Sequence, residues 1–385
     1  MLFLVKLFLI LLKKKEIKKF DVNEFKKKIS CAPVADKPME WIIMPKAFQD
    51  SLHIPGIPAG YMSGVRGWSD TGKSTIKNCL IAAAQKQSIL PIIFETEGNF
   101  DFKYAIDCGM EATPVEGVDE ETGEVKIVDY EGNFILFNNA AICDYCGDMD
   151  YSTGTKKSTK RTVAVIEDIA YIINDLIDKQ EAGELPMPLL FVWDSVGSIG
   201  SWKSLQSKAG NNMFDAGALS VAFNNIINAR IPGSRSQNSP YTNTFFVVNK
   251  IWLDSMNSVG GAASIENKGG KSFFYAMRLL LHVGGVANTG TKRLKATFKG
   301  NEYQYGVVSK ISIAKNQLPT PFNVTYAGTI CCVHNGLCGE KELDAYKKEY
   351  IPEIMSRMAE ALGKEEIKAA DTTSVSFEEE DNFDE

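Results

Sequence analysis

The chain has 385 residues, of which 44% are hydrophobic, 23% charged and 10% aromatic. This ordinary globular usage excludes collagen-like, coiled-coil and wholly disordered chains and allows a sizeable core. The formal net charge of -6 is unevenly distributed, because residues 1–30 carry nine lysines against three acids and residues 371–385 carry seven acids and no base. The net charge therefore does not argue against a nucleic-acid partner. Eight cysteines are too few for a disulfide scaffold, so a reducing cytoplasm is the expected location.

The N-terminal segment, residues 1–50, begins with an apolar run, Met1–Leu12, interrupted by Lys6. This run is too short to span a bilayer and its lysine cluster follows it instead of preceding it, so we expect no stable membrane association. An upstream extension of the start or an apolar docking helix fits the pattern better. Apolar residues at helical spacing then predict a basic amphipathic helix over Lys13–Ile29.

From Ser63 onward, short apolar runs alternate with helical stretches, which predicts an α/β core with a mainly parallel sheet flanked by helices over residues 51–330. The predicted strands are Tyr61–Val65, Leu90–Glu95, Asn133–Phe137, Leu189–Asp194, Thr244–Asn249, Met277–Val283 and Gly306–Ala314. The predicted helices are Lys73–Gln87, Thr162–Lys179 and Ala216–Ala229.

Two regions depart from this alternation. Residues 117–160 are predicted to be an insertion, with a hairpin around Glu131-Gly132-Asn133. Residues 331–370 are predicted to form a short C-terminal helical segment, with its helix over residues 340–362. The acidic tail, residues 371–385, is predicted to be disordered.

The strongest motif is Gly67-Trp68-Ser69-Asp70-Thr71-Gly72-Lys73-Ser74, a complete match to G-x-x-x-x-G-K-[ST] between a strand and a helix. Backbone N–H groups of such a loop surround phosphate oxygens, the helix N-terminus adds a positive dipole, and the lysine reaches the β and γ phosphates. Ser74 offers a hydroxyl to Mg²⁺. With the adjoining Thr75, these residues form the predicted nucleotide site, and ATP and Mg²⁺ are the predicted cofactors.

A phosphate loop needs a carboxylate for its metal at the end of an apolar strand. Asp194, which ends Leu189–Asp194, is the predicted second Mg²⁺ ligand. The strand Leu90–Glu95 leads to a candidate base that would orient water for γ-phosphate hydrolysis. Spacing alone does not decide whether Glu95 or Glu97 is this base, or whether both have a purely structural role.

These residues resemble the RecA family of recombinases, including the phage UvsX type, over about Gly64 to Gly328. Besides the phosphate loop, the matching blocks are Glu97 to Ala105 (EGNFDFKYA), Trp193 to Val196 (WDSV), Val248-Asn249-Lys250, Gly269 to Ala276 (GGKSFFYA) and Ala314 to Phe322 (AKNQLPTPF). The resemblance implies a RecA-like P-loop NTPase core.

The resemblance also implies roles for individual residues. Glu97 would be the catalytic carboxylate, and Asp101 and Tyr104 would hold the adenine. Asn249 would sense the γ-phosphate. Lys315 would reach the ATP of a neighbouring protomer and stabilise transition-state charge as an arginine finger does.

Two positions depart from the bacterial members of the family. Lys250 stands where they have a glutamine after the sensor asparagine, so DNA and γ-phosphate must be linked by different chemistry. Gln317 stands where they have a second lysine, which points to slower or differently regulated hydrolysis. The helix predicted after the first loop, Ala216–Asn228, has no arginine, although bacterial relatives use basic residues there.

Two polar loops after predicted strands, residues 200–212 and 251–271, match the DNA-binding loops of the family. Single-strand binding needs cations along the backbone and groups that stack or separate bases. The candidate residues are Lys203, Lys208, Lys268 and Lys271 as cations, Trp202, Met213 and Trp252 as stacking or separating groups, and Gly269 and Gly270 beside them. Without the resemblance, the same residues would be interpreted as solvated charges and core aromatics. Arg230 and Arg235 form a weaker basic patch.

Cysteine spacing leaves a zinc site as an alternative. Cys143 and Cys146 have the spacing of half a site, and Cys331, Cys332 and Cys338 with His334 contain possible further ligands. An incidental C-x-x-C pair is the simpler interpretation.

The sequence therefore predicts an ATP-dependent DNA recombinase that assembles on single-stranded DNA as a helical filament and exchanges strands with duplex DNA. The resemblance implies that the N-terminal helix docks on the adjacent protomer, and that the acidic tail competes with DNA for basic surfaces. Single-strand-binding and mediator proteins are further expected partners. Two alternatives stay open, a ring-forming helicase of the same fold and an ATP-binding regulator without strand exchange.

Overall fold

The computed structural model describes residues 21–22, 24–25, 37–118, 123–207, 212–254, 264–267, 270–285, 290–364, 367 and 374–381. The chain divides into two compact units, Met1–Asp36 and Lys37–Glu385. In the first unit, the backbone N–H of Phe25 donates to Asp21 O at 3.0 Å and that of Glu24 donates to Asp21 Oδ1 at 3.2 Å. A helical turn therefore begins after Asp21, while the rest of the predicted helix Lys13–Ile29 and the run Met1–Leu12 lie outside the described residues.

The second unit contains many strands and helices in alternation. Its strands are β1 (Trp41–Ile43), β2 (Gly56–Pro58), β3 (Met62–Gly67), β4 (Leu90–Glu95), β5 (Thr113–Val118), β6 (Val125–Glu131), β7 (Ile135–Phe137), β8 (Met149–Asp150), β9 (Thr155–Lys156), β10 (Leu189–Asp194), β11 (Thr244–Asp254), β12 (Ser264–Asn267), β13 (Leu279–Val283), β14 (Thr291–Phe298), β15 (Asn301–Asn316), β16 (Ala327–Val333), β17 (Gly336–Cys338) and β18 (Ser376–Asp381). Its α-helices are α1 (Lys46–Leu52), α2 (Lys73–Lys86), α3 (Phe102–Asp107), α4 (Asn139–Cys146), α5 (Ile166–Glu181), α6 (Trp202–Ser207), α7 (Asn212–Ala222), α8 (Ile231–Gly233), α9 (Gly270–Ala276) and α10 (Leu343–Leu362). A π-helical turn, Ile226–Arg230, precedes α8, and a 3₁₀ turn, Glu340–Glu342, precedes α10.

The large sheet is mixed. Its strand order is β17-β16-β15-β13-β3-β11-β10-β4-β7. From β13 to β7 neighbouring strands are parallel, whereas β15, β16 and β17 pair antiparallel, β14 pairs antiparallel with β15 and β18, and β12 pairs antiparallel with β11. The predicted α/β class with flanking helices is confirmed, but the prediction of a mainly parallel sheet is wrong for the sheet as a whole. The short turn Lys299-Gly300, with both φ angles positive, can join β14 to β15 only as an antiparallel hairpin.

The parallel strands are buried on both faces because helices pack on each. In β10, Leu190 and Val192 face a core that contains side chains of α1 and α2. Phe191 and Trp193 face the opposite core, which contains side chains of α4, α5 and α7. This explains why Leu189–Asp194 is an uninterrupted apolar run that ends in a carboxylate.

Most predicted elements of the parallel region lie within a few residues of the observed ones, and β4 and β10 have the predicted bounds. Helix α5 begins at Ile166 instead of Thr162 because Asp168 Oδ2 accepts the backbone N–H of Val165 at 2.9 Å and fixes the helix start there. The helix predicted over Ala216–Ala229 is divided into α7 and the π-helical turn.

The predicted insertion contains a hairpin, but its turn is not at Glu131-Gly132-Asn133. Strands β5 and β6 pair antiparallel, and their connection lies between Val118 and Val125. Residues 132–134 instead lead from β6 to β7, whose apolar Ile135-Leu136-Phe137 pairs parallel with β4. The turn predicted at residues 131–133 is therefore wrong, because the residues after it form β7 and extend the large sheet.

The C-terminal region continues the sheet. Strand β16 runs across residue 330, where a boundary was expected, and α10 covers a third apolar cluster on β14, β15 and β16. The acidic tail was expected to be disordered, but β18 pairs antiparallel with β14. Lys295 pairs with Glu380, and the Phe377 ring lies edge-on to Tyr305 with centroids 5.6 Å apart, so charge and packing order this part of the tail. No helix formed by the described residues combines the length and apolarity needed to cross a membrane.

Candidate nucleotide-binding site

The carboxyl ends of the parallel strands meet at one edge of the sheet. Strand β3 ends at Gly67, β4 at Glu95 and β10 at Asp194, and Asp194 lies directly beside Glu95. Lys250 of β11 and Val283 of β13 both lie beside Gly67. Ligands of open α/β sheets bind at this edge, so the predicted chemical groups come together where a site is expected.

The predicted phosphate loop has the local geometry that its sequence requires. It joins β3 to α2, and Thr71 Oγ1 donates to Trp68 O at 2.9 Å across the loop. Gly72 has a φ of 94°, and a Cβ there would lie 2.3 Å from the Sγ of Cys332. Only glycine fits this position, both for its backbone conformation and for the close approach of β16.

The remaining loop residues are held around this turn. Trp68 Nε1 donates to Gly285 O at 3.1 Å, which fastens the loop to the segment after β13. Ser69, Asp70 and Ser74 are exposed, while Thr71, Lys73 and Thr75 are buried. Ser74 is thus accessible to a metal ion, the ligand that the motif predicts for its hydroxyl.

Lys73 is a buried cation at the start of α2. Its Nζ donates to the backbone carbonyl of Trp68, inside the loop itself. Burial lowers the pKa of Lys73 to about 8, and the nearby Asp194 carboxylate opposes this shift. A phosphate anion would replace the carbonyl and stabilise the charged form of the amine.

Asp194, the predicted metal ligand, already has a partner that the sequence analysis missed. Lys77, one helical turn after Lys73 on α2, donates to Asp194 Oδ2 at 2.7 Å, and both side chains are buried. No local signal in the sequence indicates this pair, because Lys77 lies on α2 and Asp194 ends β10.

The donor set fits Mg²⁺ of the kind held mainly by phosphate oxygens and water, and Ser74 and Asp194 are the residues that would hold it. The described residues contain no group of three or more His, Cys, Asp or Glu side chains arranged to hold a metal ion. Such a group is not required here, because Mg²⁺ commonly keeps several waters and one or two protein ligands. The same finding leaves the zinc alternative without support among the described residues, where Cys143, Cys146, Cys331, Cys332 and Cys338 are buried thiols.

Glu95 and Glu97, left open by the sequence, have different surroundings. The buried Glu95 carboxylate accepts three backbone N–H groups, from Glu97 at 3.0 Å, Gly98 at 2.8 Å and Asn99 at 3.2 Å. Glu95 therefore shapes the loop, which leaves Glu97 as the carboxylate available for chemistry.

Glu97 lies between two neighbouring strand ends. Its carboxylate accepts a hydrogen bond from Ser195 Oγ and pairs with Lys250 Nζ at 2.8 Å. The Glu97 side chain is 13% exposed and that of Lys250 is 49% exposed. Burial alone would raise the pKa of Glu97, but the hydrogen bonds from Lys250 and Ser195 outweigh it and lower that pKa.

A cavity of about 630 Å³ lies against the phosphate loop. Its walls include residues 70–75 together with Asp101 and Tyr104, the two predicted adenine-binding residues. The Asp101 carboxylate caps α3 by accepting the backbone N–H of Tyr104 at 3.0 Å, and the Tyr104 hydroxyl lies 2.6 Å from Thr75 Oγ1. Helix α3 is thereby fixed beside the start of α2.

Half of the cavity wall was missed by the sequence analysis, because it comes from the antiparallel strands and from α10. The residues contributed by this region are Tyr303, Gln304, Tyr305, Gly306, Val307, Cys332, Val333, His334, Arg357, Glu360 and Ala361. Arg357 pairs with Asp107 of α3 at 2.7 Å, and Lys103 of α3 pairs with Glu360 at 3.2 Å. None of the wall residues contributed by the antiparallel strands and α10 belongs to a block that carries the resemblance, and only the fold brings them to the site.

Of the four predicted catalytic residues, Lys73 lines the cavity, whereas Glu97, Asn249 and Lys315 lie outside its wall, as does Asp194. Asn249 is buried on β11 at the strand-end edge, beside Arg66 of β3. Lys315, at the end of β15, donates to the carbonyls of Phe274 at 2.7 Å and Tyr275 at 2.9 Å. In this chain Lys315 therefore caps the end of α9 and takes no part in the cavity.

The predicted DNA-binding residues are described only in part. Lys203 is exposed on α6. Lys208, Lys268 and Gly269 lie outside the described residues, and of Met213, Trp252, Gly270 and Lys271 only the backbone is described. Trp202 is buried against Arg161, whose guanidinium lies 5.1 Å from its ring, so Trp202 packs the fold and is not available to stack on a base.

The weaker basic patch is also engaged within the fold. Arg230 pairs with Asp178 at 2.7 Å, and the Arg235 guanidinium lies 4.3 Å from the Tyr61 ring centroid.

The phosphate loop, the acidic side chains at the ends of β4 and β10 and the adjoining cavity together make a coherent candidate site. Comparison with known proteins adds no family to this picture, since neither the family models nor the curated proteins contain a match to the chain.

Proposed function

We propose that this protein is an ATP-dependent DNA recombinase of the RecA and UvsX kind, with a RecA-like P-loop NTPase core. It would form a filament on single-stranded DNA in the cytoplasm and catalyse homologous pairing and strand exchange in recombination, repair and replication. The observation that carries the nucleotide part is the complete phosphate loop at a strand-to-helix junction, beside a cavity that also contains Asp101 and Tyr104.

Each residue of the candidate site would have a separate task in ATP hydrolysis. Lys73 would leave the Trp68 carbonyl for the β and γ phosphates, and Ser74 and Asp194 would hold Mg²⁺, which would neutralise charge on the phosphates when bound. Glu97 would orient and deprotonate the attacking water after Lys250 moves away from it. Asp101 and Tyr104 would hold the base at the other side of the loop.

The DNA part rests on the resemblance and on loop position. The segments after β10 and β11 leave the same edge of the sheet as the phosphate loop, so a strand bound there would lie next to the groups that contact the γ-phosphate. Lys203 is the described cation of the first segment, and Lys250 lies within β11, just before the predicted second loop, residues 251–271. Single-strand-binding and mediator proteins are the further partners that this function implies.

One observation favours a second candidate, an ATP-binding regulator that does not exchange strands. Lys250 is paired with the Glu97 carboxylate, and Lys315 donates hydrogen bonds to backbone carbonyls of its own chain. Both groups must change partners before they can assist hydrolysis, and a regulator would not need that change. A ring-forming helicase of the same fold is the third candidate.

A strand-exchange assay with the full chain, combined with electron microscopy, separates these candidates. The recombinase predicts helical filaments on single-stranded DNA with ATP and Mg²⁺, and exchange of a labelled strand into a homologous duplex. Lys73→Ala should abolish both, while the surface variant Lys46→Ala should leave both intact. Closed rings without filaments would support the helicase, and nucleotide binding without hydrolysis or exchange would support the regulator.

A further inference from the structure

A basic segment, residues 151–163, lies at the end of the predicted insertion and outside every block that carries the resemblance. Its sequence, YSTGTKKSTKRTV, contains four bases, six serines or threonines and no acid. Residues 152–160 are all exposed. Lysine, arginine and hydroxyl side chains are among the groups that contact nucleic-acid phosphates, so this composition points to an anionic ligand.

Two lysines of the basic segment pair with acids that lie deeper in the fold. Lys156 pairs with Asp148 at 3.3 Å, and Lys157 pairs with Asp150 at 2.7 Å. The lysine side chains are 64% and 53% exposed, whereas the two acidic side chains are 21% and 8% exposed. Asp150 also accepts the backbone N–H of Ser152 at 2.9 Å. The acids therefore hold the segment from below, while the amines remain accessible to an anion in the solvent.

Lys160, the third lysine of the segment, has an exposed partner. Its Nζ donates to the Asp144 carbonyl at 2.6 Å and lies 3.8 Å from the Asp144 carboxylate. The side chains of both residues are exposed. An ion pair between exposed charges at this distance is weak, so a phosphate can replace the carboxylate.

The two ends of the basic segment are fixed on one buried carboxylate. The Arg161 guanidinium donates to both oxygens of Asp168, at 2.6 and 2.8 Å, and the Asp168 side chain has no exposed area. The Tyr151 hydroxyl donates to the same carboxylate at 2.7 Å. Because Asp168 lies on α5, the loop between Tyr151 and Arg161 is anchored on a helix. A loop held in this way loses little conformational entropy when it binds a ligand.

The basic segment contacts the first predicted DNA-binding loop, residues 200–212. The Lys157 amine lies 5.3 Å and the Arg161 guanidinium 5.1 Å from the centroid of the Trp202 ring, so two cations of the segment pack on one aromatic side chain. Trp202 is the first residue of α6, and the exposed Lys203 follows it. The segment and the predicted loop are thus direct neighbours.

The segment also lies on the strand-end edge of the sheet, as the candidate nucleotide site does. Helix α5 connects back to the amino end of β10, so α5 begins at that edge. The backbone N–H of Ile166, the first residue of α5, donates to Gly200 O at 3.0 Å. A ligand on the basic segment would therefore lie beside the chain that follows β10, which also carries Ser195, the hydrogen-bond partner of Glu97.

We propose that the basic segment, residues 151–163, is a binding surface for the phosphate backbone of a nucleic acid, beside the first predicted DNA-binding loop. This proposal rests on the proposed function, because that function supplies the class of the anion. Contacts to phosphates position a strand without reading its bases, which suits a protein that binds any sequence. An acidic protein surface is the competing ligand that the experiment must separate.

Charge-removing variants of the full chain test this surface. The segment variant combines Lys156→Gln and Lys160→Gln and leaves the cations that pack on Trp202 in place. The control variant combines Lys46→Gln and Lys348→Gln at exposed positions of α1 and α10. A third variant, with arginine at positions 156 and 160, keeps the charge. Fluorescence anisotropy without ATP measures the affinity of each protein for a labelled single strand and a labelled duplex over a range of salt concentrations. Circular dichroism confirms the fold.

The segment variant should bind nucleic acid about tenfold more weakly than the wild type at low salt and equally at high salt. Loss of two phosphate contacts should reduce the slope of log affinity against log salt by about 1.4 for a single strand or about 1.8 for a duplex. The control and arginine variants should bind like the wild type. Weaker binding of both ligands would place both on the segment, and weaker binding of one alone would identify that ligand.

A segment variant that binds both ligands as tightly as the control would overturn this proposal. If that variant still exchanges strands, the proposed function would stand without it. A wild type that binds neither ligand would overturn both. Poly-glutamate serves as the probe for an acidic protein, and a segment variant that loses affinity for poly-glutamate alone would also overturn the proposal.

A photo-crosslinking residue in place of Ser158 gives a second readout. Ser158 is exposed between the two substituted lysines, so this residue should crosslink to the labelled oligonucleotide at low salt. The same crosslinker in place of Lys348 should not. Absence of a crosslink from position 158 to either oligonucleotide, while the protein is saturated with it, would contradict binding at the segment.

Discussion

The two regions of the large sheet contribute differently to the candidate site. The parallel region, β13-β3-β11-β10-β4-β7, ends in the groups suited to chemistry, with Lys73, Asp194 and Glu97 at the strand-end edge. The antiparallel region, β14 to β18 with α10, supplies much of the cavity wall, including Tyr303 and Arg357. Under the proposed function, this difference predicts that the parallel region sets the rate of hydrolysis and the antiparallel region sets the affinity for the nucleotide.

The two regions also meet closely at the phosphate loop. Cys332 of β16 lies against Gly72, with its Sγ 3.8 Å from the glycine carbonyl oxygen. The pairs Arg357–Asp107 and Lys103–Glu360 join α10 to α3 on the far side of the cavity. Substitutions in the antiparallel region should therefore change the affinity for a nucleotide without altering the chemical groups at the strand-end edge.

The largest effect is expected from Lys73→Ala in the parallel region. Loss of the buried amine removes the cation for the β and γ phosphates, so the rate of ATP hydrolysis should fall about 100-fold or more. Steady-state phosphate release measures it, with Lys46→Ala as the surface control. A rate within a few-fold of wild type would mean that this loop does not hold the phosphates.

Arg357→Gln tests the antiparallel region. Its charged hydrogen bond to Asp107, at 2.7 Å, fixes α10 against α3, and a second one to Glu353 of α10, also at 2.7 Å, orients the guanidinium. Their loss should raise KM for ATP about tenfold and leave kcat nearly unchanged. Lys348→Gln, at an exposed position of the same helix, should change neither constant. A drop in kcat at constant KM would break the proposed division between the two regions.

Lys250→Gln should change the pH dependence of hydrolysis. Removing the Lys250 hydrogen bond removes an interaction that lowers the pKa of Glu97, so that pKa rises. Because the base must be ionised, the acid limb of the kcat/KM profile should move to higher pH. Lys250→Arg keeps the cation and should keep the wild-type limb. An unmoved limb in Lys250→Gln would show that Glu97 is not the titrating base.

The smallest effect is expected from deleting residues 374–385, which removes β18. Glu379 and Glu380 pair with Lys292 and Lys295 of β14, so the deletion uncovers basic side chains, and none of the described tail residues 374–381 lines the cavity. Affinity for single-stranded DNA should rise several-fold at low salt and converge with wild type at high salt. Identical salt titrations of the two proteins would contradict a competing role for the tail, and altered ATP hydrolysis without DNA would place the tail in the nucleotide site.

The same two regions explain how much could be predicted from the sequence. The parallel strands carry apolar runs that end in functional residues, and the phosphate loop has a fixed spacing, so local patterns were enough to predict β4, β10 and the start of α2. In the antiparallel region, Tyr303 and Arg357 come from distant strands and helices and share a cavity only after folding. No local pattern encodes that proximity.

Side-chain partners were the second limit. The sequence does not show that Lys77 pairs with Asp194 or that Lys250 pairs with Glu97. These pairs form only when α2 packs on the sheet and the strand ends become neighbours. Likewise, the acidic tail was predicted to be disordered because its like charges repel one another. In the structure it forms β18, which pairs with the lysine-containing strand β14. The sequence therefore predicted the secondary-structure elements of the parallel region better than it predicted side-chain partners.

The central claim is that the edge of the parallel region binds ATP and hydrolyses it with Glu97 as the base. The most direct measurement is phosphate release by the full chain with ATP and Mg²⁺, with and without single-stranded DNA, for the wild type and Glu97→Gln. The account predicts DNA-stimulated release by the wild type, and a rate about 100-fold lower in Glu97→Gln with nucleotide binding retained. Release by Glu97→Gln at the wild-type rate, or no release by the wild type above background, would contradict it.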